Sequence, residues 1–232
     1  MCGRFTLTST PEELARRFGL DETPSLAPRY NIAPGQPVLA VRRSDAGGGR
    51  RATSLRWGLV PSWSQTAEIG AGWINARCES VAEKPAFRDA FRARRCLLPA
   101  DAFYEWAQRG DFREPHRLAL PGGGLFAFAG VWERWRAHDH ALLESWAIVT
   151  APASPGLRAL HDRMPLVLPD DAWDAWLDPE QHDLAALQAL LARGGDPGFV
   201  AHPVSTRVNS VRFDDPACAA PVAPAPRQPT LF

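Results

Sequence analysis

The second residue is a cysteine, followed by Gly3, Arg4 and Phe5. Met1 ahead of so small a residue is a substrate for removal, which leaves an amine and a thiol on one residue. An α-amino group titrates near about 7.8 and is roughly one-tenth neutral at pH 7; a lysine amine, near about 10.4, is about 0.04% neutral. Amines attack aldehydes to give Schiff bases. A thiol on the same residue can then close onto the imine carbon as a five-membered thiazolidine, which resists hydrolysis far better than the open imine. Competing amines are scarce: Lys84 is the sole lysine among the 26 basic residues, and an arginine offers no neutral amine near pH 7. Cys2 also fits a bland reading as merely the second residue, since a single motif is weak on its own.

Three further segments carry chemistry. In Ala100-Asp101-Ala102-Phe103-Tyr104-Glu105-Trp106, a strand puts Phe103 and Glu105 on one face and Tyr104 and Trp106 on the other. A glutamate among aromatic neighbours is partly desolvated, which raises its pKa and suits it to general acid/base work. Taken alone, it better fits a barrel-edge glutamate paired with one of the many arginines. In Leu160-His161-Asp162-Arg163-Met164-Pro165, a loop histidine and arginine at the junction of a short helix and an apolar strand suit catalysis or anion binding. A lone loop histidine also fits an idle, exposed position. In Trp73-Ile74-Asn75-Ala76-Arg77, Asn75 and Arg77 point the same way on an extended segment. There an amide beside a guanidinium can orient a nucleophile and a phosphate, or simply form a structural turn. The aromatic cluster Trp57 to Trp63 is either core or a base-stacking platform.

These residues need elements to hold them. Residues 10–18 predict a short helix with Thr10, Pro11 and Glu13 as its start. Residues 37–43 and 52–60 predict two strands joined by a turn at 44–49. A helix is expected over 85–95, from Phe87 and Phe91 at i, i+4. Strands are expected at 101–109, 116–120, 125–135, 144–150 and 164–168, and helices at 170–177 and 181–193. Adjacent strands outnumber helices, which predicts an α+β fold: a barrel-like antiparallel sheet with peripheral helices. One domain over 1–215 is expected. The stretch Pro216–Phe232 holds five prolines and predicts a flexible tail.

The 232 residues are 45% hydrophobic and 22% charged, which excludes wholesale disorder and fibrous folds. No apolar run reaches the roughly 18 residues of a membrane span, and the N-terminus lacks a signal-peptide core. A cytoplasmic location, nucleoid-associated during repair in a bacterium, and a monomeric state are therefore expected. The 26 acidic residues balance the 26 basic ones, so any basic surface must be local. Cys2, Cys78, Cys96 and Cys218 show neither C-x-x-C nor zinc-site spacing. No metal or other cofactor is expected.

Read in order, several motifs resemble the SOS-response-associated peptidase family of abasic-site processing proteins. They are Met1-Cys2-Gly3-Arg4-Phe5, Tyr30-Asn31-Ile32-Ala33-Pro34-Gly35, Trp57-Gly58-Leu59-Val60-Pro61, Ile74-Asn75-Ala76-Arg77, Phe103-Tyr104-Glu105-Trp106 and His161-Asp162-Arg163-Met164-Pro165, with His202-Pro203-Val204-Ser205 and Val208-Asn209 beyond. The resemblance implies a protein that binds single-stranded DNA and captures the ring-opened abasic sugar as a reversible thiazolidine on Cys2. It implies that Asn75 positions Cys2, that Glu105 is the general acid/base, and that His161 assists the imine steps and the reversal. Arg4, Arg77 and Arg163 would hold phosphates, and Asn31, Pro34, Trp63, Trp106 and Thr150 fall in segments that approach the DNA. The family name also implies self-cleavage of Met1. Two other readings stand beside this one. An N-terminal-nucleophile amidohydrolase or peptidase also fits Met-Cys-Gly, but the later Asn-Gly and Arg-Gly-Pro motifs of glutamine amidotransferases are absent. A non-catalytic single-strand-binding module would leave Cys2 incidental.

Overall fold

The computed structural model describes residues 2–44, 48–68 and 72–223. Chain order within these residues is β1 (Phe5–Leu7), α1 (Pro11–Phe18), β2 (Arg29–Ile32), β3 (Pro37–Arg43), β4 (Arg50–Trp57), β5 (Asn75–Arg77), α2 (Arg88–Ala93), β6 (Arg95–Ala100), β7 (Ala102–Arg109), β8 (Phe112–Ala119), β9 (Phe126–Arg136), β10 (Leu142–Pro152), β11 (Arg163–Pro165), α3 (Trp173–Leu177), α4 (Leu184–Arg193) and β12 (Val200–Pro203). Strands β3, β4, β10, β9 and β6 close on one another as a barrel, with β11 and β5 added along β10. A second sheet runs β12-β8-β7-β1-β2. The fold is the β-rich α+β architecture expected. It departs from a purely antiparallel sheet at β10, which pairs in parallel with β4 and with β5.

Short β1 is held by its side chains rather than its length. Phe5 is fully buried. Its ring meets Trp57 edge-on at 5.3 Å, Phe128 at 5.9 Å and Trp146 at 6.3 Å. Trp57 and Trp146 stack at 5.2 Å across the parallel β4–β10 pair. Just beyond β1, the buried Asp101 carboxylate accepts from the Thr6 hydroxyl, from the Thr8 hydroxyl at 2.7 Å and from the Ser9 backbone N–H at 3.2 Å. These contacts fix the strand that follows Cys2. An aromatic of this burial is worth about 3–5 kcal/mol on truncation to alanine.

The helix predicted over 10–18 forms as α1, with the Thr10–Glu13 capping box present and Gly19 left-handed at φ 59°. The element expected at 85–95 shortens to α2, because residues 95–100 join the barrel as β6. Pro99 hides β6 in the sequence, since proline lacks the donor a central strand needs. The segment before His161 is a run of hydrogen-bonded turns, with His161 N–H reaching Leu157 O at 3.2 Å, rather than a helix. The helix expected from 170 opens as a 3-10 turn, Asp170–Ala172, before α3.

The stretch after Asp215 is packed where it is described. Pro216–Cys218 is a 3-10 turn capped by Asp215, Cys218 is buried, and Val222 N–H donates to Pro203 O at 3.0 Å. Two of its prolines serve a turn start and an edge bridge, which is why composition alone suggested a tail. Residues 45–47 of the expected turn and 224–232 of the expected tail lie outside the described residues. Among the described residues, no helix is long and apolar enough to cross a membrane, and no group of three His, Cys, Asp or Glu side chains could hold a metal ion.

Candidate active site

Four segments carry the chemistry-bearing residues. Cys2 lies three residues ahead of β1. Strand β5, pinned along β10 with Asn75 opposite Ile148 and Arg77 opposite Thr150, presents Asn75. Strand β7, paired to β1 through Phe5 and Phe103, presents Glu105. The turns after β10 present His161. Asn75 is buried, and its Nδ2 donates to the Cys2 carbonyl at 3.0 Å. The amide oxygen of Asn75 is also buried and accepts no hydrogen bond among the described residues. A buried acceptor left without a donor costs about 1–3 kcal/mol. Asn75 and Arg77 occupy different environments, the first buried and the second exposed.

Cys2 is fully buried, and its thiol lies 3.8 Å from the Arg4 carbonyl. Burial first, and the nearby Glu105 carboxyl second, push the thiol far above its ordinary range. It is therefore a protonated thiol near neutrality, not a thiolate. Glu105 is buried as well, and desolvation raises its carboxyl to about 7. A carboxyl poised there exchanges its proton readily at neutral pH. His161 shares with Glu105 a cleft of about 300 Å³, also lined by Trp106, Gln108 and Arg113. Its Nδ1 lies 2.9 Å from the Arg163 backbone nitrogen, an N–H donor, and 2.7 Å from the Asp162 carboxylate, an acceptor. Burial lowers the pKa of this imidazole, favouring the neutral form at pH 7. The Asp162 carboxylate, 2.7 Å from Nδ1, becomes an ion partner only once the ring is protonated. Two clefts of similar size lie elsewhere, one among the Arg17–Asp170 and Arg193 side chains and one beneath Cys78; neither pairs a carboxyl with an imidazole.

The other sequence-predicted residues divide into groups. Arg4 donates to Asn31 Oδ1 at 3.0 Å and to Val208 O at 2.6 Å, and forms no ion pair among the described residues. Asn31 lies in the interior: its amide donates to the carbonyls of Val208, Ser210 and Phe213 at 3.2, 3.0 and 2.7 Å. It braces Arg4 and the 208–213 segment. Thr150 is likewise buried, with its carbonyl and hydroxyl accepting from Arg163 at 2.6 and 3.2 Å. Trp106 is half-buried and donates from Nε1 to Asn209 Oδ1 at 2.7 Å. Pro34 is half-buried in the turn before Gly35, whose φ of 89° suits glycine. Trp63 is 59% exposed and sits apart from the cleft, edge-on to Trp73 at 6.2 Å. Arg77 is exposed with no ion pair among the described residues, whereas Arg163 is tied to Glu79.

Sequence reasoning missed Glu79, Asn209 and Arg113. Asn209 and Glu79 stand inside or beside motifs already singled out, but a partner far away in the chain leaves no local signal. Arg113 reaches the cleft only because β8 folds back on β7.

The family model for "SOS response associated peptidase (SRAP)" matches residues 1–211. The chain is 39% identical to abasic site processing protein YoaM of Bacillus subtilis, over 90% of this chain and 93% of that one. It is 38% identical to abasic site processing protein YoqW of the same organism, over 93% of this chain and 97% of that one. A crystal structure of a protein from Bacteroides thetaiotaomicron superposes with a TM-score of 0.81 at 20% identity, over 96% of this chain and 100% of that one. This last likeness shows the fold.

Proposed function

The chain belongs to the SOS response associated peptidase family, and from that premise we propose that it processes abasic sites in DNA by capturing them covalently on Cys2. Its relatives carry abasic-site processing in their names. The observation that carries the reading for this chain is the grip of Asn75 on the Cys2 carbonyl, which fixes the aminothiol residue beside a carboxyl titrating at about 7.

The chemistry proceeds from an opened sugar. Glu105 shuttles the proton that converts the cyclic hemiacetal into hydroxyl and aldehyde. The α-amine of Cys2, exposed by loss of Met1, adds to the aldehyde carbon. The carbinolamine oxygen takes a proton from the acid and departs as water, leaving the protonated imine. The Cys2 sulfur then bonds to the imine carbon, the nitrogen keeps its one proton, and the thiol proton returns to the base that supplied the acid proton. One C–N and one C–S bond form, the C=O bond breaks, and one water is released. The unpartnered Asn75 oxygen supports this sequence, because an α-ammonium or amine supplies the donor it lacks. A neutral His161 on the same cleft suits proton traffic at the imine and in the reversal. Arg4, Arg77 and Arg163 hold phosphates of a single strand in this reading, and Trp106 and Trp63 offer stacking faces.

The test is a time course on denaturing gels with an abasic single-stranded oligonucleotide. The parent chain should give a heat-stable crosslink. Cys2→Ser and Cys2→Ala should give only an imine that borohydride traps. A heat-stable crosslink from Cys2→Ala without borohydride contradicts the assignment, because only the thiol closes the ring.

A further inference from the structure

Arg163 presents a conflict between its expected role and its observed partners. Its Nη1 and Nη2 donate in a fork to Glu79 Oε1 and Oε2 at 2.5 and 3.0 Å. Nη2 also donates to the Thr150 carbonyl at 2.6 Å and hydroxyl at 3.2 Å. The two partners are not equally free. The Arg163 side chain is 12% exposed and anchored on β10, whereas that of Glu79 is 49% exposed on the turn that follows β5. The carboxylate is thus the member able to leave, and the guanidinium the member that stays aimed.

A carboxylate offers a guanidinium the same two-oxygen fork that a phosphate does. The surroundings fit an incoming phosphate. Arg77 pairs in register with Thr150, the residue that anchors Arg163. Two guanidinium-bearing residues therefore flank one backbone position, one exposed and with no ion pair among the described residues, the other already occupied. We propose that Glu79 is a built-in competitor for DNA phosphate at Arg163: it fills the guanidinium fork in the free protein and must be displaced when a strand seats. The inference rests on the reading of Arg163 as a phosphate contact. Its consequence is selectivity. A strand that delivers a phosphate only loosely gains nothing by displacing Glu79, whereas a strand seated by Arg4, Arg77 and the captured lesion gains the fork. In a chain of zero net charge, this restrains unspecific binding without removing an arginine.

The experiment is a double-mutant cycle on binding of a lesion-free single-stranded oligonucleotide, followed by fluorescence anisotropy across a salt series, so that no crosslink forms. Glu79→Gln keeps the shape and removes the charge. It should bind about threefold to tenfold tighter at low salt, and the gain should vanish when Arg163 is also replaced by alanine. A gain of equal size in the Arg163→Ala background overturns the proposal, since it reports plain charge repulsion. Unchanged or weaker binding by Glu79→Gln overturns it too, showing that Glu79 supports Arg163. Separately, if Arg163→Ala alone leaves affinity and salt slope as in the parent, the phosphate role of Arg163 fails and the proposal with it. Arg163→Gln repeats the cycle should the alanine variant melt early, with thermal melts on every protein.

Discussion

Two regions of this molecule treat their arginines in opposite ways. At the end built by α1, α3 and the tips of β3 and β4, four arginines are matched to aspartates. Arg17 meets Asp170 at 2.5 Å, Arg193 meets Asp171 at 2.6 Å, and Arg43 and Arg50 share Asp174 at 3.2 and 2.9 Å. Arg17 and Arg50 also lie over the Trp173 ring at 4.9 and 5.6 Å. At the end that holds Cys2, Arg4, Arg77 and Arg113 form no ion pair among the described residues, and the carboxyl closest to the chemistry, Glu105, is buried and raised to about 7. A chain with no net charge can still present a locally positive surface where some of its arginines lack an acidic partner. In the first region each of these four arginines has an aspartate; in the second, Arg4, Arg77 and Arg113 have no ion pair among the described residues.

The largest effect expected at the Cys2 end is on rate. Glu105→Gln should slow crosslinking by about 10²–10⁴-fold while leaving DNA binding intact, the usual worth of general acid/base help. The pH profile gives a second readout. In the parent, the protonated acid is lost as pH rises through about 7, while the amine becomes competent as pH rises through about 7.8. Crosslinking should therefore peak between these limits. Glu105→Gln should lose the alkaline fall and keep the amine rise, and a fall that persists would assign it to another group.

The same substitution should stabilise the fold. Glu105 titrates at about 7 in the folded chain and near about 4.3 when unfolded. The folded state thus holds this proton more tightly. The residue costs nothing below pH 4, and its penalty grows as pH rises from there to beyond 7. Glu105→Gln should gain about 3 kcal/mol of stability at pH 8 relative to its effect at pH 4. Urea titrations at the two pH values measure it; an equal effect at both would mean that Glu105 is not held protonated.

Smaller effects separate the two sets of arginines directly. Arg77→Ala should weaken binding to all single strands alike and reduce the magnitude of the log–log salt slope by about 0.7. Arg17→Ala, at the paired end, should leave binding and slope unchanged and cost about 1 kcal/mol or less of stability, as exposed ion pairs do. Equal effects of the two on the salt slope would erase the distinction between the regions.

Local patterns in the sequence exposed the Cys2 end better than the paired one. Cys2, Glu105 and His161 stand in short motifs whose chemistry is readable residue by residue, and the structure gathers Glu105 and His161 on one cleft. Asn75 was readable as a positioning group because an extended segment brings it beside a guanidinium-bearing neighbour. Other features were not legible, for physical reasons. Asn31 and Thr150 sit in motif segments and are buried, and a motif does not reveal which side chains turn inward. The Glu79–Arg163 fork joins residues 84 apart in the chain, and the aspartates that neutralise Arg17 and Arg50 are more than 120 positions away from them. Strands β1 and β6 were missed because one is three residues long and the other contains Pro99. The long strands β3, β7, β9 and β10 were legible as apolar runs bounded by turn residues, and most of their positions are buried.

The central claim, that residue 2 captures an abasic aldehyde through both its amine and its thiol, is tested most directly by intact mass. The purified chain is incubated with a short abasic single-stranded oligonucleotide and weighed without reduction. The account predicts a chain lacking Met1 and an adduct equal to that chain plus the oligonucleotide less one water, which survives heating in the parent and is lost on heating in Cys2→Ala. An adduct on chains that retain Met1, or a heat-stable adduct of equal yield from Cys2→Ala, would contradict it.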